Sequence, residues 1–95
     1  MAIDLFDKNY ATALSNFLLD NMFLQRVSKE KMAEKVGIKY NTLCRYLSAS
    51  RQMPIELFVE MCKVLHLDFE ESFRKVNAIA VEATMAHFKN GDNVQ

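Results

Sequence analysis

Residues 29 to 48 read KEKMAEKVGIKYNTLCRYLS, and their spacing is that of two short helices packed across a tight turn. Met32 and Val36 are four apart and share a helical face, while the small Ala33 beside them lets a second helix cross closely. Gly37 follows, where a helix stopped by a residue at positive φ favours glycine. After it, Ile38, Leu43 and Tyr46 are apolar, and Leu43 and Tyr46, three apart, are expected to face the core. Each helix therefore buries one stripe and leaves the other face open.

The flanks extend the pattern in both directions. Ser28 is placed to cap the first helix, with Glu30 near the positive end of its dipole. The second helix begins near Tyr40. The basic loop Ser48-Ala49-Ser50-Arg51-Gln52-Met53-Pro54 ends in a proline suited to a helical first turn. The spacing then predicts a helix over Ile55 to Leu67 carrying Leu57, Phe58, Met61, Val64 and Leu65, and Asp68-Phe69-Glu70-Glu71 reads as a capping box opening another. Over about residues 10 to 73 the chain resembles the phage-repressor helix-turn-helix family, the Cro-like or XRE class of bacterial and phage transcriptional regulators. The resemblance implies a lambda-repressor-like DNA-binding fold whose recognition helix starts near Tyr40. This chain has Lys29 where the family commonly has glutamine, Lys39 where it commonly has a capping serine, and Leu47 where an acid is common. Leu47, as an additional apolar side chain, is expected to meet a partner.

Outside the motif the chain of 95 residues, 51% hydrophobic with two glycines and one proline, reads as helical almost throughout. The fold expected is all-α: a compact five-helix bundle with a central helix-turn-helix and an extended C-terminal helix, one domain over 1–95. Its core is expected over about 7–75 and the helical extension over about 76–90. A first helix is expected from about Asp7 to Phe23 with Tyr10, Leu14, Phe17, Leu18 and Asn21 inward. Leu19, Met22, Phe23 and Leu24 exceed one stripe, and some are expected to pack under the loop to Val27. The last helix, from Asp68, is expected to run about 20 residues until Lys89-Asn90-Gly91 ends it. Its second half is apolar on more than one side. The part past the core is therefore expected to meet another subunit, through Ile79, Ala83 and Ala86, rather than fold back over the first helix.

Net charge is zero, but unevenly distributed. Residues 25 to 51 hold seven Lys and Arg against Glu30 and Glu34, a local charge of +5, whereas residues 1 to 24 carry −2 and residues 52 to 95 carry −3. Phosphates approaching the motif would meet the positive segment. With roughly 0.9 of salt slope per phosphate neutralised, a monomer making about four or five such contacts would bind weakly, and dimerisation would double them. By the docking geometry of the resembled family, the base-reading residues are Tyr40, Asn41, Thr42, Cys44 and Arg45, with Asn41 suited to adenine and Arg45 to guanine. Lys29, Lys39, Ser48 and Arg51 are the phosphate contacts.

Other chemistry is sparse. Cys62 and His66 are four apart on one helix, as two metal ligands can be, but no second Cys/His pair completes a closed zinc site, so a packed cysteine and a partly exposed histidine are expected. No glycine-rich phosphate loop or nucleophile constellation suggests an enzyme, and no metal or cofactor is implied. The two cysteines lie in different expected helices and MAIDLFDKNY lacks a secretion signal, which suits the cytoplasm. Val76 to Phe88 is broken by Glu82 and His87, so no membrane span is expected. The function expected is sequence-specific binding of double-stranded DNA by a homodimeric repressor. The alternative is an antirepressor or modulator that uses the same fold to bind a repressor protein.

Overall fold

The computed structural model describes residues 4 to 94, with side chains to residue 89. It is all-α, with five helices in the order α1 (Leu5–Gln25), α2 (Lys29–Val36), α3 (Tyr40–Leu47), α4 (Ile55–Val64) and α5 (Phe69–Val94), and no strand among the described residues. No helix of these is long and apolar enough to cross a membrane.

One hydrophobic cluster draws on every helix. Leu18, Met32, Leu43, Phe58, Met61, Leu65 and Val76 are almost wholly withdrawn from solvent within it. At about 1.5–3 kcal/mol per large apolar side chain buried, this cluster is the main force holding the short helices α2 and α3, which at eight residues would not persist alone.

The helix ends explain why several boundaries differ from the sequence expectation. α1 to α4 are each followed by a residue with left-handed backbone: Arg26 (φ 58°), Gly37 (φ 78°), Ala49 (φ 62°) and His66 (φ 56°). The next amide donates back five residues in each case: Val27 to the Met22 carbonyl (2.9 Å), Ile38 to Ala33 (3.1 Å), Ser50 to Arg45 (3.2 Å) and Leu67 to Cys62 (2.8 Å). These are Schellman-type closures, and only one uses glycine. The fourth ends α4 at Val64 rather than Leu67, and the Gln25 side-chain amide donates to the Leu65 carbonyl at 2.7 Å, satisfying one of the acceptors left at that helix end.

α1 buries Ala13, Leu14, Ser15, Leu18 and Met22, while Tyr10, Phe17 and Asn21 are half-buried. Phe23 and Leu24 do not pack under the loop. They stand 82% and 75% exposed, because the reversal at Arg26 returns the chain over Met22, leaving its two neighbours on the outer side. α5 is also corrected in two respects. It spans 26 residues and runs through Gly91, since a glycine costs about 1 kcal/mol in a helix without reversing the chain. It also folds back along α1 instead of leaving the core at residue 76. Val76 and Ala80 are fully buried, the Asn9 side-chain amide donates to Thr84 Oγ1 at 3.0 Å, and Tyr10 meets Phe73 edge-on with ring centroids 6.3 Å apart. Its start matches expectation, with the Glu71 amide donating to Asp68 Oδ2 at 2.9 Å.

Candidate nucleic-acid interface

The α2–α3 unit is built from the residues the sequence singled out. Ser28 caps α2, its hydroxyl accepting from the Lys31 amide at 3.1 Å, and Met32 and Ala33 are buried. Gly37 reverses the chain, and residues 37 to 39 lead into α3. Lys39 occupies the capping position of α3 with extended backbone and supplies no side-chain acceptor. The opening amides of α3 therefore lack a side-chain cap and are suited to an anion.

α3 is held by Leu43 and Leu47, 0% and 2% exposed. The expected pair was Leu43 and Tyr46. Residues four apart are better aligned on a helix than residues three apart, and here the core takes the better-aligned pair. Leu47 is thus a core residue and cannot meet a partner as expected. Its carbonyl accepts a hydrogen bond from the buried Ser15 hydroxyl of α1, a link no sequence signal announced. Tyr46 is half-buried and lines a groove of about 320 Å³ with Val36, Ile38, Thr42, Pro54 and Leu57.

With that face anchored, Asn41, Arg45 and Ser48 are exposed on the opposite side of α3. Tyr40 and Cys44 form one flank, 44% exposed and half-buried respectively. A hydrogen bond with Cys44, followed by the charges of Cys44 and Glu30, raises the Tyr40 phenol above its usual pKa. Thr42 is on the other flank, half-buried in the groove, and like Cys44 is less available than the exposed Tyr40, Asn41 and Arg45.

The expected phosphate-binding residues Lys29, Lys39, Ser48 and Arg51 are all exposed. Ser48 belongs to a small network with Ser50, which sequence reasoning missed: each hydroxyl lies 3.0 Å from the Arg45 carbonyl and the two oxygens are 2.9 Å apart. Two protons serve three links, so Ser48 can turn its proton to another acceptor while Ser50 keeps the carbonyl satisfied. Arg51 shares a cleft of about 240 Å³ with Asp4, Asp7 and Lys8 of the α1 end.

Charge pairing separates this surface from the rest. Among the described residues, ion pairs form at Lys63–Glu60 (3.0 Å), Arg74–Glu70 (3.8 Å) and Lys75–Glu71 (3.4 Å), all within α4 or α5. None involves the seven cations of residues 25 to 51.

The remaining sequence candidates are distributed elsewhere. Ile79 is 52% exposed and Ala83 and Ala86 are exposed on the outer side of α5. Cys62 is 1% exposed, burial pushing its thiol pKa up against a lowering hydrogen bond with Ser72, while His66 is exposed. No group of three possible metal ligands occurs among the described residues. No family model matches the chain, and no curated protein or solved structure matches it either.

Proposed function

We propose that this protein is a sequence-specific DNA-binding transcriptional regulator of the helix-turn-helix type, a repressor that reads the major groove with α3. One observation carries the reading: Asn41 and Arg45 stand on the open face of a helix pinned by Leu43 and Leu47, within a segment of local charge +5 whose cations form no ion pair among the described residues. An Arg or Asn side chain in that position can bond a base edge at two points, each worth about 1–3 kcal/mol of discrimination. Lys29, Lys39 and Arg51 supply phosphate contacts around it, and the uncapped start of α3 offers amides to a further phosphate. The protein would act as a homodimer, which doubles the phosphate contacts of one chain, with the exposed Ile79, Ala83 and Ala86 of α5 at the subunit contact, and two cysteines in separate helices suit a reducing cytoplasm.

Selection from random duplex DNA with the full chain tests the reading. The result expected is a short, nearly palindromic site whose affinity falls steeply with salt and is lost in Arg45→Ala.

The exposed Phe23 and Leu24, side by side on a neutral chain, favour a second reading in which the fold binds a repressor protein. Recovery of no enriched site, together with a stable complex with a separate DNA-binding repressor, selects that reading over direct DNA recognition.

A further inference from the structure

Arg51, an exposed cation of the motif segment, shares a cleft of about 240 Å³ with the start of α1. The small residues Ala11 and Ala49 line it and let the loop after α3 lie close to the helix. That loop is tied down, because the Ser50 amide and the Ser48 and Ser50 hydroxyls are all held to the Arg45 carbonyl. The charged residues of the cleft are Arg51 on the loop side and Asp4, Asp7 and Lys8 on the α1 side. Two acids and two cations therefore meet in one small space.

Their partners follow from helix geometry. Asp4 precedes Lys8 by four residues, the spacing and order that favour an acid–base pair along one helix. Asp7 has Tyr10 and Ala11 at the equivalent spacings and no Lys or Arg before it, so the cation left to it is Arg51 across the cleft. No ion pair closes between them among the described residues, and both side chains are exposed. Groups lining a cleft of this size nevertheless stand within one Debye length of each other, about 8 Å at physiological salt, so their attraction is only partly screened. It acts on Arg51 before any phosphate arrives. Resting on the DNA-reading proposal above, we infer that Asp7 competes with DNA phosphate for Arg51, so that the first turn of α1 holds down the affinity of the reading surface. Arg51 then counts for less than a full phosphate contact in the wild-type chain, and removal of one carboxylate restores it.

The test titrates the full chain with a random-sequence duplex over a range of salt concentrations, read by fluorescence anisotropy. Asp7→Asn is expected to steepen the salt slope by up to about 0.9 per chain and to tighten binding severalfold, with a ceiling of roughly eightfold at about 0.1 M salt, the counterion release of one further phosphate contact. Arg51→Ala is expected to cancel that gain, weakening binding severalfold more in the Asp7→Asn background than in wild type. Asp20→Asn removes the same charge from an exposed position about 20 Å further along α1, at roughly 1.5 Å of rise per residue, and is expected to leave the slope unchanged. A purely structural role for Asp7, at the positive end of the α1 dipole, would alter thermal stability without this dependence on Arg51. Equal gains from Asp7→Asn and Asp20→Asn would assign the effect to net charge and overturn the inference. Equal losses from Arg51→Ala in both backgrounds would overturn it too, with the DNA reading left standing because wild type binds duplex. If neither wild type nor Asp7→Asn binds duplex at any salt, the DNA reading and this inference fall together.

Discussion

The segment from residue 25 to 51 and the antiparallel α1–α5 pair handle charge and apolar surface in opposite ways. The segment has seven exposed cations, none within an observed ion pair, and its apolar residues are drawn inward to Met32, Ala33, Leu43 and Leu47. In the first two turns of α5 two charge pairs form, Arg74 with Glu70 and Lys75 with Glu71, while further along Ile79, Val81, Met85 and Phe88 remain 43–61% exposed. A surface with unmatched charge and buried hydrophobes is suited to a polyanion, and a surface with matched charge and open hydrophobes is suited to a protein. The two kinds of surface occupy different parts of the molecule.

The largest effect expected from a single change comes from the residue anchoring the first region. Leu47→Ala should reduce stability by about 2–5 kcal/mol in urea unfolding, because it empties a fully packed site. A loss below about 0.5 kcal/mol would mean α3 is not held through Leu47, and the separation of its anchored and open faces would fail. Next comes the contrast between unmatched and matched arginines. Arg45→Ala should weaken specific DNA binding by about 1–3 kcal/mol with stability nearly unchanged, whereas Arg74→Ala should alter neither by more than a few tenths. Equal losses of DNA affinity from both, measured by fluorescence anisotropy, would erase the distinction between the regions.

A smaller effect sharpens how the two regions are joined. Ser15→Ala removes the hydroxyl that bonds the Leu47 carbonyl and should cost about 1–2 kcal/mol, with a matching drop in amide protection at the end of α3 by hydrogen exchange. A neutral result would show that α1 contributes only apolar packing there. The smallest effects lie at the helix ends. Gly37→Ala should cost about 1 kcal/mol through backbone strain alone, since open space surrounds the position where a Cβ would sit. Ala49→Gly should gain about 0.5–1 kcal/mol by relieving the same left-handed strain, provided the added unfolded-state entropy of glycine does not cancel it. Paired thermal melts of these two variants should shift in opposite directions.

Residues whose role depends on local spacing were the most legible. Ser28, Gly37, Pro54 and Asp68 punctuate helices through capping and backbone preference, and each stands at the helix boundary expected of it. Three other reversals, at Arg26, Ala49 and His66, were not legible, because arginine and alanine have no preference for left-handed backbone and the enrichment of histidine there is too small to mark a helix end. They are held by the packing on either side. The choice between Tyr46 and Leu47 was likewise undecidable from a two-turn helix in which both fit an apolar stripe.

What the sequence determined by itself was the helical class, the start of each short helix and the concentration of positive charge between residues 25 and 51. These depend on interactions within a few residues of the chain or on composition alone. Tertiary structure decided which side of α3 is open, that α5 returns along α1, and that Phe23 and Leu24 are left outside. Those outcomes depend on contacts between residues far apart in sequence, such as Ser15 with Leu47 and Asn9 with Thr84, where competing apolar stripes are ranked by how well they fill one shared core.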